Sequence, residues 1–216
     1  PMWPVHTWLP DAAAASRPAV ATLLVGVLDK VGTYGMIRFC LQLFPEASQW
    51  ATPVVVTLAV FSILYGAILA KYNALGGPAG WLGFPVTGET PAPDGVGRFV
   101  HFQHGSVYWT PQTGAYAIPG DMFAAWGKNG YEGGDLKYPV AEANQVGKGY
   151  VQKFQGGFLT RNPDGKHFIV HGAIAEKYGE IGTATSELGY PTGNEIAVKG
   201  GSFQPFEHGT IYWSAA

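Results

Sequence analysis

The chain has 216 residues, enough for one large or two small domains, with a net charge of −2 and a sequence pI near 6.3. This balance gives no electrostatic basis for binding nucleic acid or an acidic membrane surface. The only cysteine is Cys40, which excludes an intrachain disulfide. The mean hydropathy of +0.06 averages two unlike parts. Charges are scarce before residue 70, whereas glycine, aromatic and charged residues are frequent after it.

The first part predicts membrane-type helices. Residues 52–70 carry no charge, and at 1.5 Å per residue they span about 28 Å, close to the thickness of a bilayer core. A second apolar run, residues 18–44, contains Asp29 and Lys30, which are expected to face a bundle interior or a water-filled cavity. Residues 1–17 form an irregular lead-in because prolines exclude a regular helix there. A soluble helical hairpin is the alternative.

Two sequence segments of this part resemble a known family. Pro-Met-Trp-Pro-Val-His-Thr-Trp-Leu-Pro-Asp and Leu-Leu-Val-Gly-Val-Leu-Asp-Lys-Val-Gly-Thr-Tyr-Gly-Met-Ile-Arg-Phe closely resemble the antiporter-like M subunit of bacterial respiratory complex I (NADH-quinone oxidoreductase), over about residues 1–69. The resemblance implies a proton path with Lys30 as the channel lysine, His6 as the motif histidine and Asp29 beside them. It also implies complex I membrane subunits and, through residues 18–70, membrane lipid as partners.

This resemblance has two departures. Ala13 stands where many members of the family have a second histidine. The family's partner lysine would lie before Pro1. We therefore expect no complete proton path from this part alone.

The second part is a tandem repeat. A four-residue motif recurs at steps of 54 (136 minus 82) and 52 (188 minus 136), as Leu82-Gly83-Phe84-Pro85, Leu136-Lys137-Tyr138-Pro139 and Leu188-Gly189-Tyr190-Pro191. A glutamate follows each copy, at Glu89, Glu142 and Glu195. A Phe-x-x-Gly block comes next, and a helical phrase opens each unit. The predicted repeats are residues 66–119, 120–171 and 172–216.

Each repeat is predicted to contain a motif turn, two short strands around the Phe-x-x-Gly block, and a short helix. Gly105 and Gly209 are expected to take a positive φ where the hairpin reverses. Units this small cannot bury a core alone, so they should stack or close into a ring. The predicted fold class is α+β, with a transmembrane-type helical hairpin followed by tandem repeats of about 52 residues.

These blocks resemble the LGFP repeat family of actinobacterial cell-envelope proteins, over about residues 66–216. In that family the repeats follow secreted hydrolases or acyltransferases and are thought to hold them to wall arabinogalactan. The resemblance implies a wall polysaccharide as partner and a membrane-attached location in the cell envelope, with the repeats outside the cytoplasm. The second repeat departs from the pattern, with Lys137 for glycine and no Tyr-Trp after Gly157.

The sequence predicts no catalytic residue, cofactor or metal site, because it contains no nucleophile elbow, phosphate loop or metal-ligand spacing. The three glutamates recur with the repeat, which favours a structural hydrogen-bonding role. Aromatic side chains near the Phe-x-x-Gly block could stack on sugar rings or form the core between repeats. The candidates for either role are Tyr108, Trp109, Tyr212, Trp213, His104 and His208.

Three functional interpretations follow. The first is a non-catalytic module that binds wall polysaccharide and is tethered by its apolar N-terminal segment. The second is a fragment of a proton-translocating membrane subunit. The third is a chimeric chain, natural or assembled, that is joined at residues 66–72 and has no single native function. We favour the first as the activity and the third as the history of the chain.

Overall fold

The structure, a computed structural model, describes Tyr34, Pro53 and residues 66–214. The chain separates into two compact units, residues 1–66 and 67–216. The predicted lead-in and the two predicted apolar helices lie outside the described residues, apart from Tyr34, Pro53 and the end of the second helix. Among the helices that the structure does describe, none combines the length and apolar character needed to cross a bilayer.

Residues 66–214 form three consecutive modules of one design, in which a short helix is followed by an antiparallel sheet. We call them module 1 (66–119), module 2 (120–171) and module 3 (172–214). The helices are α1 (66–74), α2 (Gly120–Lys128) and α3 (Gly172–Glu180). The strands are β1 (Thr90–Pro91), β2 (Arg98–Phe102), β3 (Gly105–Thr110), β4 (Gly114–Pro119), β5 (Asn144–Val146), β6 (Gly149–Phe154), β7 (Gly157–Arg161), β8 (His167–His171), β9 (Ile196–Val198), β10 (Gly201–Phe206) and β11 (Gly209–Ser214). Short 3-10 turns follow the helices, at Gly77–Ala79, Tyr131–Gly133 and Thr183–Thr185.

The sheets are meanders in chain order. Sheet 1 (β1–β4) and sheet 2 (β5–β8) have four strands each, and sheet 3 (β9–β11) has three in the described part of module 3. The predicted α+β repeat of hairpins and a helix is confirmed, and α2 and α3 begin at the predicted glycines. The prediction of two strands per repeat was too low. It missed the first strand, because Thr90–Pro91 is short and contains proline, and the strand that leads into the next helix.

The sequence analysis predicted a positive φ for the two hairpin glycines, and this was wrong. Gly105 and Gly209 do not have a positive φ. Close packing accounts for Gly105 instead, because a Cβ there would lie 2.5 Å from the backbone carbonyl oxygen of Ile118. At Gly209 an added Cβ would lie 2.6 Å from Leu188 Cδ2, the end of a flexible side chain that can move aside, so the need for glycine is weaker there.

One face of each sheet packs against the helix of its own module. In module 1, the ring of Tyr72 on α1 stacks on Phe102 with the ring centres 4.7 Å apart. The Tyr72 hydroxyl donates a hydrogen bond of 2.8 Å to the Gly83 carbonyl. Tyr178 on α3 repeats this bond, donating to the Gly189 carbonyl at 3.0 Å. The helix therefore fixes the motif turn of its own module.

The opposite face packs against the helix of the next module. The first shared cluster joins the outer face of sheet 1 to module 2, and its central members are Tyr108, Ile118, Met122, Trp126, Leu136 and Tyr138. The second joins sheet 2 to module 3, with Val151, Phe158, Val170, Ile174, Tyr178 and Tyr190. The modules thus stack in chain order, as helix, sheet, helix and sheet.

Buried glutamines connect successive sheets. The side-chain nitrogen of Gln152 donates to the Ala117 carbonyl of β4 at 2.9 Å. Gln204 donates in the same way to the Ile169 carbonyl of β8 at 2.8 Å. The equivalent residue of module 1 is Val100, which lies in that module's own core. Because an unpaired buried carbonyl is costly, these bonds favour one alignment of neighbouring sheets.

The motif aromatic lies beneath the first hairpin of the preceding module. The Tyr138 hydroxyl donates to both carboxylate oxygens of Asp94, at 2.8 and 2.9 Å. The Tyr190 hydroxyl donates to the Val146 carbonyl at 2.8 Å. Both rings are buried, and burial raises the pKa of both hydroxyls above its ordinary value. Phe84, at the corresponding position of module 1, is exposed.

Module 2 departs from its neighbours at two positions of this framework. Trp126 replaces the helix tyrosine, and its indole nitrogen is buried without a hydrogen-bond partner among the described residues. Lys137 has a φ of 56° where Gly83 and Gly189 have 71° and 70°. A left-handed conformation costs a residue with a side chain roughly 1–2 kcal/mol. Module 2 is therefore strained at its motif turn, where modules 1 and 3 have glycine.

Replacing Lys137 with glycine is expected to raise the free energy of unfolding by about 0.5–1 kcal/mol, because the relieved strain exceeds the added freedom of the unfolded chain. Chemical denaturation of the full chain measures this change. The matched variant Gly189→Ala places a side chain in the equivalent turn of module 3 and should destabilise by about 1 kcal/mol. A Lys137→Gly protein no more stable than the parent would contradict this account.

The Asp94 carboxylate predicts a dependence of stability on acid pH. Burial raises its pKa, but hydrogen bonds from the Val96 amide, the Tyr138 hydroxyl and the Gly97 amide outweigh burial, so the pKa lies below its ordinary value. A lowered folded-state pKa stabilises the protein above the unfolded pKa of about 3.9, and this contribution is lost as the pH falls through the folded value.

Asp94→Asn keeps an acceptor oxygen and removes the titrating charge. The stability of this variant should therefore fall less than that of the parent between about pH 5 and pH 2. Unfolding curves recorded across that range test the difference, with Asp164→Asn in an exposed turn of module 2 as control. An Asp94→Asn curve parallel to the parent's would show that Asp94 is not responsible.

Candidate functional site

Two open clefts lie at equivalent seams between successive modules. Seam cleft 1, of about 460 Å³, lies between modules 1 and 2. Seam cleft 2, of about 630 Å³, lies between modules 2 and 3. One wall of each cleft is the last strand of a sheet, β4 or β8, and the other includes the loop before β5 or β9. Asp121, in the first turn of α2, lines both clefts and so connects them.

Seam cleft 1 combines ring faces with charged groups. Trp81 and Tyr150 line it, together with Asp121 and Arg161. The guanidinium of Arg161 lies 5.7 Å from the centre of the Tyr150 ring, and its Nε is 3.0 Å from an Asp121 carboxylate oxygen. Arg161 therefore covers one aromatic ring and fixes the acid, while Trp81 remains exposed. An exposed ring beside fixed polar groups suits a ligand with an apolar face and several hydroxyls.

Glu142 closes the other side of seam cleft 1. Its carboxylate lies 2.8 Å from Lys71 Nζ of α1 and accepts a bond of 3.3 Å from the Ala117 amide of β4. Lys71 Nζ also lies 5.4 Å from the centre of the Tyr116 ring. Glu142 thus joins the loop of module 2 to both layers of module 1.

The other two predicted glutamates also contact basic side chains. Glu89 pairs with Arg98 of its own module. The Glu195 carboxylate lies 3.3 Å from His171 Nε2 of the preceding module, an ion pair when the imidazole is protonated. Glu89 and Glu195 directly precede their edge strands, whereas Glu142 stands one residue earlier in its loop. The three glutamates that recur in the sequence thus occupy similar, though not identical, positions in the fold.

Seam cleft 2 is the more polar of the two. His167 Nε2 lies 3.5 Å from Asp121, and the His171–Glu195 pair also lines the cleft. Lys128 and Asn129 of the α2 end complete this lining. Within residues 66–214, no group of three or more histidine, cysteine or acidic side chains is placed to hold a metal ion. With these side chains the cleft offers both hydrogen-bond donors and hydrogen-bond acceptors to a polar ligand.

The structure places the four predicted aromatic residues in different environments. Tyr108 is 4% exposed and belongs to the core between modules 1 and 2, whereas Tyr212 is 73% exposed. Trp109 packs at the margin of the module 1 core, and Trp213 is exposed. Tyr108 and Tyr212 differ because α2 covers the outer face of sheet 1, while no described helix covers that face of sheet 3. Glycan contact by Tyr212 and Trp213 stays a prediction.

His104 and His208 lie exposed in the two equivalent hairpin turns. Their backbone amides donate to the carbonyls of Leu82 and Leu188, at 3.1 and 3.2 Å, and so tie each hairpin to its motif turn. The structure does not bring either histidine into a seam cleft. The predicted proton-path residues Lys30, His6 and Asp29 lie outside the described residues.

Apart from Glu142 and Glu195, sequence reasoning missed the residues that line the clefts, among them Trp81, Asp121 and Arg161. These positions do not recur as one residue type, since Trp81 corresponds to Asp135 and Arg161 to Trp109 at the repeat spacing. A usable signal existed only for the glutamines of the sheet connections. Gln152 and Gln204 are 52 residues apart (204 minus 152), at the spacing of the motif.

Modules that share one core with the next module define a stacked tandem-repeat protein. The model of the LGFP repeat matches residues 82–134, 136–186 and 188–216, which is more than half of the chain. The chain belongs to the LGFP repeat family, as its motifs predicted.

A second family model, NADH:quinone oxidoreductase/Mrp antiporter, TM, matches residues 1–73. NADH-quinone oxidoreductase subunit M of Mycobacterium tuberculosis (strain H37Rv) is 59% identical over 70 residues, which are 32% of this chain and 13% of that protein. NAD(P)H-quinone oxidoreductase chain 4 2 of Thermosynechococcus vestitus is 49% identical over 70 residues, with the same coverage of 32% and 13%. NADH-ubiquinone oxidoreductase chain 4 of Marchantia polymorpha is 46% identical over 68 residues, 32% of this chain and 14% of that protein.

The predicted resemblance of the N-terminal part is thereby confirmed, although the chain spans only 13 to 14% of the length of these relatives. The match to residues 1–73 also reaches into α1. Ile68 and Tyr72 of α1 lie in the core of module 1. One helix therefore belongs to a sequence of the membrane-subunit type and to the fold of the first repeat module.

Proposed function

We propose that this chain is a non-catalytic cell-envelope module whose repeats bind a wall polysaccharide of the arabinogalactan type along the seam clefts. The observation that carries the proposal is the recurrence of an open cleft at both successive seams, joined through Asp121. A polymer of repeating units can contact both clefts at once, so that two weak sites act together. Membership of the LGFP family supports the cell-envelope setting.

The composition of the clefts supports a saccharide as the ligand. Trp81 offers a ring face in seam cleft 1, and carboxylate, guanidinium, imidazole and amide groups line the rest of the path. Aromatic side chains present an apolar face that stacks on the C–H face of a ring, while polar groups bond its hydroxyls. Without a strong net charge on the chain, recognition depends on these contacts rather than on long-range attraction.

The charge pairing supports a role in binding. Asp121 is held by Arg161, and Glu142 by Lys71. The basic partners fix both carboxylates in place, so that the pairs present positioned hydrogen-bond acceptors to a ligand.

Trp81→Ala is expected to weaken retention of the full chain, in detergent, on insoluble arabinogalactan by about tenfold, since a stacking contact contributes roughly 0.5–1.5 kcal/mol beyond its buried area. Cellulose serves as the control polymer. Trp213→Ala is the matched variant, because Trp81 and Trp213 are 43% and 46% exposed and only Trp81 lines a seam cleft.

The two tryptophan variants distinguish the possible sites. Loss of retention in Trp213→Ala alone would move the binding site to sheet 3 and contradict a role for seam cleft 1. Equal retention of the parent chain on arabinogalactan and cellulose would contradict selective binding of a wall polysaccharide.

A second candidate function concerns the N-terminal part. The 59% identity with subunit M over 70 residues supports membrane insertion of this part, and Lys30 matches the channel lysine implied by that resemblance. The matching segment is short, since it covers 13% of that relative. We therefore assign residues 1–65 the role of a membrane anchor.

Lys30→Ala is expected to leave both membrane retention and proton permeability of reconstituted liposomes unchanged, because an anchor needs apolar length and no titrating lysine. A pH-sensitive dye inside the liposomes reports the flux. A proton flux in the parent chain that Lys30→Ala abolishes would favour the proton-path interpretation over the anchor.

A further inference from the structure

Within residues 66–214, modules 1 and 3 expose the two halves of the interface that joins successive modules. The head face, on module 1, comprises Leu69, Phe84 and Pro85. The tail face, on module 3, comprises Val198, Phe203 and Tyr212. Each residue occupies a position that is covered by a neighbouring module elsewhere in the array.

In modules 2 and 3, the surface that corresponds to the head face is buried against the preceding module. Phe84 is 58% exposed, whereas Tyr138 and Tyr190 at the same motif position are 5% and 4% exposed. The motif prolines follow the same pattern, since Pro85 is exposed and its two equivalents, Pro139 and Pro191, are buried. Leu69 is exposed on α1, while its equivalent on α2, Phe123, packs against the core that α2 shares with sheet 1.

The tail face is the sheet surface that modules 1 and 2 bury beneath the next helix. Val198 is 49% exposed, whereas Ala92 at the same position of module 1 is 3% exposed. Phe203 and Tyr212 stack with ring centres 5.4 Å apart, as do their module 1 equivalents Phe99 and Tyr108 at 4.9 Å. The module 3 pair therefore has the geometry of a covered surface.

Two further features make the ends complementary. Gly97 and Gly149 form recesses in which an added Cβ would collide with the rings of Tyr138 and Tyr190, and Gly201 preserves this position on the tail face. The buried glutamines of modules 2 and 3 require a carbonyl on the fourth strand of the preceding sheet. Module 1 has Val100 instead, which needs no such acceptor, so its head face can dock without that hydrogen bond.

We propose that this chain associates head to tail with a second copy of itself. The head face of one copy docks on the tail face of the other, with Phe84 beside Gly201 and Val198, in the arrangement that joins modules 1 and 2 and modules 2 and 3. Apolar patches of this kind on a soluble domain mark interaction surfaces. Because the contact joins two different surfaces, repeated association gives either a closed ring or an open filament.

Single charges at the two faces test the proposal in the full chain, in a density-matched detergent, by sedimentation equilibrium. Phe84→Asp places a charge on the head face, and Val198→Asp places one on the tail face. Each is expected to weaken self-association at least tenfold, because an unpaired carboxylate would be buried at the contact. Val96→Asp, at an exposed valine outside both faces, is the control and should associate like the parent.

Mixing the two variants gives the more specific result. The Val198→Asp protein keeps an intact head and the Phe84→Asp protein an intact tail, so the mixture should form one-to-one dimers and no larger species. An association through the apolar N-terminal part would not depend on either substitution. A like-to-like contact between two heads or two tails would not be restored by mixing.

Phe84→Tyr tests the register of the contact. Its hydroxyl should donate to the Val198 carbonyl of the partner copy, as Tyr190 donates to Val146 within the chain. One added neutral hydrogen bond should strengthen association about three- to tenfold. A parent chain that stays monomeric over the accessible concentration range, or unchanged association in Phe84→Asp or Val198→Asp with an intact thermal transition, would overturn the proposal.

Discussion

The fold depends on one constraint: a module has a two-faced sheet and a single helix to cover it. The helix of each module covers one face, through Tyr72 in module 1 and Tyr178 in module 3. In modules 1 and 2 the other face is apolar as well and is covered by the helix that follows in the chain. Stacking is therefore the condition under which each sheet loses its exposed apolar surface, since two layers are needed to bury a sheet.

Polar groups then decide how the layers align. Apolar surfaces alone permit sliding, but a buried glutamine amide must meet a carbonyl, and a tyrosine hydroxyl beneath a hairpin must meet an acceptor. The bonds of Gln152 to Ala117 and of Tyr190 to Val146 meet these requirements at separate points of their seams. The seam clefts occur where this packing leaves the last strand of one sheet apart from the loop of the next module, and their charged pairs lie at that gap.

The regular part of this design was predictable from the sequence, and the irregular part was not. The motif spacing predicted the repeats and the starts of α2 and α3, because each apolar position recurs in order. It did not predict β1, a two-residue strand whose pairing depends on β2. It also gave a wrong reason for Gly105, since crowding around a backbone is invisible in sequence. The clefts escaped prediction because Trp81 and Arg161 come to line one cleft only when the modules stack.

α1 lies at the end of the segment that matches the antiporter family model, and module 1 requires few specific residues of this helix. The helices of all three modules place two apolar residues four positions apart on the buried face, Met122 and Trp126 in α2 and Ile174 and Tyr178 in α3. In α1 these residues are Ile68 and Tyr72. The match to the NADH:quinone oxidoreductase/Mrp antiporter model extends to residue 73 and so includes this pair. The polar groups beside the pair also have partners, since the Tyr72 hydroxyl donates to the Gly83 carbonyl and Lys71 pairs with Glu142. The last residues of the matched segment thus satisfy both the core and the polar contacts of module 1.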